Sequence, residues 1–104
     1  MGILSMLFGK SSNATYLKEL YAKGALIVDV RTPEEFNRGH IKDSINIPLQ
    51  ALNQKINSLK QKKKAIITVC QSGSRSSMAV NVLKGAGIDA YNGGGWNSMQ
   101  NIIK

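Results

Sequence analysis

One stretch of the sequence combines the residue types that nucleophilic chemistry requires. Cys70, the only cysteine, follows a β-branched apolar run at residues 65–67 that is typical of a buried strand. Apolar residues recur at helical spacing over residues 78–84, so a loop of small polar residues joins a strand to a helix. Backbone N–H groups in such a loop, the helix dipole and Arg75 all favour an anion. These surroundings lower the pKa of a thiol, so the pattern predicts a reactive thiolate at Cys70.

The loop after the cysteine supplies the predicted binding groups. Its backbone N–H groups would stabilise a thiolate and any sulfur attached to it, and Arg75 would hold a donor's oxyanion or support the loop. Ser72, Ser74 and Ser76 are expected either to donate hydrogen bonds to the sulfur or to cap the helix. A buried structural cysteine is the alternative for Cys70, and the small polar loop argues against it. The predicted substrate-binding residues are Gln71, Ser72, Gly73, Ser74 and Arg75.

Length and cysteine content limit the classes of protein. The chain has 104 residues, 42% of them apolar, which suits one small domain with a core. No apolar run is long enough to span a membrane. A single cysteine excludes an internal disulfide and a CxxC pair, which fits either a reducing, cytoplasmic location or a protein that needs no disulfide for stability. With one histidine besides, neither a metal site nor a cofactor is predicted.

The net charge of +8 is the strongest compositional bias. It predicts either attraction to anions, from small oxyanions to nucleic acid or acidic partner proteins, or general solubility. The densest basic run, at residues 60–64, directly precedes a predicted strand, where a solvated turn is expected. No aromatic platform accompanies that run, so nucleic-acid binding is not expected there.

Strand and helix patterns alternate along the chain. Strands are predicted at residues 25–30, 44–47, 65–69 and 88–91, and helices at 13–23, 33–37, 49–59, 78–84 and 96–103. Thr32, Pro33 and Glu35 form a capping-box pattern. Residues 92–95 are predicted to be a turn whose glycines take a positive φ or allow close approach of the backbone. The alternation favours an α/β domain with a parallel sheet and right-handed crossovers. Asp29 and Arg31 then lie at the carboxyl end of a strand, the edge where such sheets build sites.

The amino terminus is interpreted separately from this domain. Residues 1–10 form an apolar arm, and residues 11–104 form the single domain. The arm lacks the basic start and the cleavage site of a secretory signal, and Met6 breaks the myristoylation pattern after Gly2. It is expected to pack on the domain or on a second copy, with a membrane-surface anchor as the alternative.

Taken together, these ordered motifs resemble the single-domain rhodaneses, the family of thiosulfate:acceptor sulfurtransferases. The resemblance covers about residues 25–100 and rests on Asp29-Val30-Arg31, Glu35-Phe36, Gly39-His40-Ile41, Ser44-Ile45-Asn46-Ile47-Pro48, the Cys70–Ser76 loop and Gly93-Gly94-Gly95-Trp96. It implies a three-layer rhodanese-like α/β domain, with a four- to five-stranded parallel sheet and helices on both faces. The family usually has an additional strand before its first helix, and here only residues 3–8 could supply it.

The resemblance also implies roles for individual residues. Cys70 would attack the outer sulfur of a donor such as thiosulfate, release sulfite and become a persulfide, which a thiol or cyanide then discharges. Asp29, Arg31 and Glu35 would support the site, with Asp29 bonded to backbone or loop and Arg31 paired with Glu35. His40 would be a hydrogen-bonding brace rather than an acid or base, and Trp96 would belong to the core or the pocket rim. No second cysteine can resolve the persulfide, so the acceptor must be another molecule.

Other functions stay open at this point. Four residues separate Cys70 from Arg75, whereas five residues separate the corresponding cysteine and arginine of related phosphatases. The resemblance therefore implies a loop sized for a sulfane sulfur. An arsenate reductase or phosphatase is therefore disfavoured. A rhodanese-like sulfur carrier or binding module, loaded by a partner such as a cysteine desulfurase and with little thiosulfate turnover, is the main alternative. Nucleic-acid binding without chemistry is a further one.

Overall fold

The structure is a computed structural model that describes residues 9–104. Residues 1–8 lie outside the described residues, and with them most of the predicted arm and the segment proposed as an additional first strand. The elements are α1 (Gly9–Ala22), β1 (Leu26–Asp29), α2 (Pro33–Arg38), β2 (Ile45–Asn46), a 3-10 helix (Leu49–Lys55), α3 (Ile56–Gln61), β3 (Ile66–Cys70), α4 (Ser74–Gly85), β4 (Ala90–Gly95) and α5 (Trp96–Ile103). Strands alternate with helical segments, as predicted.

The four strands form one parallel sheet in the order β2-β1-β3-β4. Parallel pairing places all their carboxyl ends at one edge of the sheet. Asp29 ends the central strand β1 opposite Val69, and Cys70 ends the other central strand opposite Gly95 of β4. The two chemically notable strand ends are therefore neighbours, which is the arrangement that the strand pattern predicted.

Helices cover both faces of the sheet, so the domain has three layers. On one face a core cluster joins α3 and α4 to the sheet, with Leu59 and Leu83 almost fully buried. On the other face Leu17 of α1 and Met99 of α5 pack on the sheet. Side chains alternate along β3, with Ile66 facing the first cluster and Ile67 the second. The predicted fold class, a three-layer α/β domain with a parallel sheet, is confirmed, with four strands in the described residues.

The glycines near the end of the chain are part of a strand, so the predicted turn at residues 92–95 is wrong. The strand predicted at residues 88–91 lies instead at Ala90–Gly95, and its register against β3 shifts between Thr68 and Val69. A Cβ atom at Gly93 would lie 2.8 Å from Ile67 Cγ2 and 2.9 Å from the Thr68 carbonyl oxygen. Glycine here permits close approach of β4 to β3 and extends the ladder to the site edge.

Three helix boundaries also differ from their predictions. The segment predicted as one helix at residues 49–59 begins as a 3-10 helix and becomes α3 only at Ile56. Leu49 and Leu52 are three residues apart, a spacing that a 3-10 helix places on one face. Helix α4 begins at Ser74 rather than at Met78, which shortens the predicted loop, and α1 begins at Gly9 rather than at residue 13.

Candidate active site

The turn between β3 and α4 holds the cysteine. Only residues 71–73 separate the end of β3 from the start of α4. Gly73, the residue before α4, has φ 108°, in the left-handed region where a side chain is strained. This bend directs two backbone N–H groups at the cysteine sulfur, from Gly73 at 3.0 Å and from Ser76 at 3.3 Å. Both lie at the amino end of α4, where the helix dipole adds to their effect.

These hydrogen bonds act on a buried sulfur, since Cys70 is only 1% exposed. Burial opposes ionisation of the thiol and is the largest single influence on it. The Ser76 hydroxyl and the N–H groups of Ser76, Gly73 and Ser72 favour the thiolate and together outweigh burial. The net result is a pKa of Cys70 below its ordinary value. The hydrogen bonds of the turn therefore favour the thiolate, which is the nucleophilic form of a thiol.

The Ser76 hydroxyl links the sulfur to β4. Its Oγ lies 3.4 Å from Cys70 Sγ, 2.6 Å from Asn92 Oδ1 and 3.0 Å from the Gly73 carbonyl oxygen. A serine hydroxyl has one proton and two lone pairs. It can therefore accept from the neutral thiol while donating to Asn92, or turn and donate to the thiolate.

Asn92 is the functional residue that the sequence prediction missed. Its Oδ1 also accepts from the Gly94 N–H at 2.8 Å, and its Nδ2 donates to the Gly73 carbonyl at 3.3 Å. Asn92 thus ties the cysteine turn to the neighbouring strand. The available signal was positional, because a polar residue near the carboxyl end of a strand adjacent to β3 must lie near Cys70.

Arg75 is held by Glu35 of α2. Its Nη1 and Nη2 donate to the two carboxylate oxygens at 2.7 and 3.0 Å, a bidentate pair. The Arg75 guanidinium lowers the pKa of Glu35 to about 2, with help from the Thr32 N–H. The predicted capping box is also present, because Glu35 accepts from the Thr32 N–H at 3.1 Å and Thr32 Oγ1 accepts from the Glu35 N–H. One carboxylate therefore serves both the start of α2 and the cysteine turn.

The predicted pairing of Arg31 with the Glu35 carboxylate is wrong. Arg31 instead pairs with Asp29 through Nε and Nη2, the latter at 2.8 Å, and both residues are almost fully buried. Arg31 contacts Glu35 only by donating from Nη1 to the main-chain carbonyl of Glu35, at 3.2 Å. Its Nη2 donates to the Gly39 carbonyl at 2.7 Å. A buried guanidinium needs a buried countercharge, and Asp29, two residues away on the same strand end, supplies it. The Asp29 carboxylate also accepts from the Arg31 N–H, which fits its predicted bond to backbone.

Of the remaining predicted residues, Gln71 and Trp96 line a cavity beside the turn, whereas Ser72 and Ser74 do not. Gln71, Ser72 and Ser74 are exposed, and the cavity has a volume of about 200 Å³. The ring of Trp96 lies 4.8 Å from the Arg31 guanidinium carbon, which fits its predicted place at the pocket rim.

His40 lies on α2's side of this region. Its Nδ1 is 2.7 Å from the Phe36 carbonyl oxygen and its ring stacks on that of Phe36, so it braces the end of α2 as predicted.

Within residues 9–104, no three His, Cys, Asp or Glu side chains converge as metal ligands would. No helix in the same range combines the length and apolar character needed to cross a bilayer.

Comparisons with known proteins agree with this geometry. The sequence model of the family described as "Rhodanese-like domain" matches residues 13–101. The chain belongs to the rhodanese-like domain family. A rhodanese-related protein of Thermoplasma volcanium has a similar structure, with a TM-score of 0.71 and 34% identity over 86% of this chain and 88% of that one.

Curated relatives of this rhodanese-like domain have names of two kinds. "Thiosulfate sulfurtransferase 16, chloroplastic" of Arabidopsis thaliana is 35% identical over 74% of this chain and 73% of its own length. The "Putative sulfur carrier protein YrkF" of Bacillus subtilis is 38% identical over 59% of this chain and 32% of its own length. Other relatives are also much longer, since the chain spans 15% of one and 41% of another. The relatives therefore associate the domain with sulfur transfer at family level.

Proposed function

We propose that this rhodanese-like domain is a sulfurtransferase of the thiosulfate sulfurtransferase type, which carries a sulfane sulfur as a persulfide on Cys70. The observation that carries the proposal is the convergence of the Gly73 and Ser76 N–H groups and the Ser76 hydroxyl on one buried sulfur. Donors placed in this way stabilise a thiolate without further reorganisation. The thiolate is the form that attacks a donor's outer sulfur.

The loading step balances without a cofactor. The Cys70 thiolate attacks the outer sulfur of thiosulfate, a sulfur–sulfur bond forms to Cys70, and the donor's own sulfur–sulfur bond breaks to release sulfite. The new outer sulfur carries the negative charge that the thiolate gave up. N–H groups at the amino end of α4 are the nearest donors for that charge.

Arg75 has a supporting role in this proposal. Both of its terminal nitrogens are bonded to Glu35, so the guanidinium fixes the position of the turn relative to α2. A phosphatase needs its loop arginine to bind the transferred phosphoryl group. The pairing of Arg75 with Glu35 therefore favours sulfur transfer over phosphate hydrolysis.

Mass spectrometry of the intact protein after incubation with thiosulfate tests the proposal. We expect the addition of one sulfur atom and the release of sulfite in equal amount, with neither in Cys70→Ser. Ser77→Ala is the matched control, because Ser77 is an exposed serine of α4 outside the site. If the wild-type protein gains no sulfur and releases no sulfite, the thiosulfate reaction is refuted.

A sulfur carrier loaded by a partner protein is the second candidate. The name of the relative YrkF, the lack of a second cysteine and the net charge of +8 favour it, since an acidic partner would be attracted to this surface. In that case thiosulfate loads Cys70 slowly, whereas a cysteine desulfurase with its substrate cysteine loads it fast. Loading by the desulfurase should weaken with added salt, and equal rates from both donors would argue against the carrier role.

A further inference from the structure

The cavity beside the cysteine turn contains one positive charge that its neighbours do not offset. Arg31 lines this cavity, and its charge is offset by Asp29 behind it. Glu35 also lines it, and its charge is offset by Arg75. Arg38, in the last turn of α2, is the third charged residue in the lining. Its side chain is exposed and has no ion pair or hydrogen bond with any residue of the described range.

The rest of the lining provides neutral donors and an apolar wall. Gln71 and Asn97 are exposed, and their carboxamides make no hydrogen bond to another described residue. Gln71 directly follows Cys70, so the cavity borders the turn that holds the nucleophile. Trp96 forms the apolar wall. A cation, two amides and an indole suit a small molecule with a short carbon chain and an anionic end.

We propose that this cavity is the subsite of the sulfur acceptor, and that it selects a small thiol that carries a carboxylate, bound by Arg38. The proposal rests on the persulfide of the proposed function and adds the chemical class of its acceptor. The volume of about 200 Å³ lies below the roughly 300–1,000 Å³ typical of sites for drug-sized ligands, so the acceptor is small. An arginine binds a carboxylate with two parallel hydrogen bonds, which fixes the orientation of the thiol end.

The discharge step is a simple exchange. The acceptor thiolate attacks the outer sulfur of the Cys70 persulfide, a bond forms between the two sulfurs, and the bond to Cys70 breaks. Cys70 leaves as a thiolate, stabilised by the same donors that favoured its attack. The product is the persulfide of the small acid, and no oxidant or reductant is consumed.

Three thiols with the same two-carbon spacing test the selectivity. These are 3-mercaptopropionate, its neutral amide and cysteamine, whose ends are anionic, neutral and cationic. The rate of persulfide discharge is measured with each thiol in the wild type and in Arg38→Met. Lys84→Met removes the same charge from the last turn of α4 and serves as the matched control. Comparing variants with the same thiol cancels the thiol's own reactivity.

We expect Arg38→Met to slow discharge by 3-mercaptopropionate up to about fivefold, the upper end for one exposed ion pair, while the amide is unaffected. The effect should shrink with added salt, and Lys84→Met should change the three rates equally or not at all. If the carboxylate and the amide lose the same factor in Arg38→Met, or neither changes, the subsite is refuted.

A binding measurement separates this proposal from the loading chemistry. Trp96 is the only tryptophan and lines the cavity, so its fluorescence reports occupancy. Cys70→Ser is titrated with 3-(methylsulfanyl)propionate and with its amide, neither of which can accept sulfur. If the acid binds more tightly than the amide, and this preference is lost when Arg38→Met is added to Cys70→Ser, the subsite is supported even if thiosulfate fails to load Cys70. Equal binding of acid and amide overturns it even if loading succeeds.

Discussion

Removal of the Ser76 hydroxyl should raise the pKa of Cys70, because the thiolate loses one of its hydrogen-bond donors. A hydrogen bond to a charged group contributes about 1.5–3 kcal/mol. The 3.4 Å separation of Ser76 Oγ from Sγ places this one at the lower end, about 1.5 kcal/mol, which corresponds to a roughly tenfold change in the thiolate fraction well below the pKa. Ser76→Ala keeps the N–H groups of residues 73 and 76, so part of the lowering of the pKa survives.

The assay is the rate of Cys70 alkylation by iodoacetamide as a function of pH, read by mass spectrometry of the intact protein. The rate follows the thiolate fraction, so it rises with pH up to the pKa and then levels off. Well below both pKa values, Ser76→Ala should react about threefold more slowly than the wild type, because a roughly tenfold smaller thiolate fraction is partly offset by the greater nucleophilicity of a thiolate of higher pKa. Loading from thiosulfate should slow in the same direction. Ser77→Ala should match the wild type, since Ser77 lies outside the site.

Asn92→Ala tests whether Ser76 lowers the pKa of Cys70 by its hydrogen bond to the sulfur or only by supporting the position of the turn. Asn92 competes with the thiolate for the Ser76 proton, so its removal should leave the pKa of Cys70 unchanged or lower it. Titration midpoints of Ser76→Ala and wild type that agree within about 0.3 unit would refute the reasoning. An equal rise of the pKa in Asn92→Ala would do so as well, because both variants would then act through the position of the turn.

Three further outcomes follow from the supporting contacts. Glu35→Gln should destabilise the fold by about 1–2 kcal/mol in urea unfolding near neutral pH, a figure reduced from the full shift because the Glu35 side chain is 25% exposed. The pKa of Glu35 in the folded protein, about 2, lies below the ordinary value of 4.5, so its contribution to stability is complete above about pH 4.5 and is lost as the pH falls towards 2. If the difference in unfolding free energy between variant and wild type stays constant over that range, the prediction is wrong. Gly73→Ala should lower the free energy of unfolding by about 1–2 kcal/mol, because φ 108° strains any residue with a side chain, and it should also slow sulfur loading. An unchanged urea midpoint would rule out that strain. Arg31→Met should lower the free energy of unfolding by about 3–5 kcal/mol, because it leaves Asp29 charged and buried. The double variant with Asp29→Asn should be destabilised less, and a double-mutant cycle measures the difference.

The sequence predicted the layers of the fold because its apolar patterns are strongly periodic. Ile66 and Ile67 lie in an unbroken β-branched run, which only a strand covered on both faces explains well. The capping box at Thr32 and Glu35 was also predictable, since its signal is local. The cysteine turn followed from the change of pattern after residue 67 together with the type of residue at position 70.

Contacts between distant segments were harder to predict. Glu35 could pair with either of two arginines, and nothing in the local sequence indicated that Arg75 would bind it. Arg31 pairs with Asp29 instead. The strand through Gly93 depends on close approach to β3, a tertiary effect that overrides the low strand propensity of glycine. Asn92 acquires its role only through that pairing.

The double use of Glu35 has a consequence for the order in which the molecule assembles. Its bonds to Thr32 are local and can form as soon as the first helical turn of α2 does, whereas its bonds to Arg75 span forty residues of chain. Contacts of such separation close late, because the loop entropy must be overcome first. The cysteine turn therefore reaches its final geometry only when the two halves of the sheet have joined. Onset of sulfur loading of Cys70 from thiosulfate during refolding should therefore lag behind helix formation and mark completion of the fold.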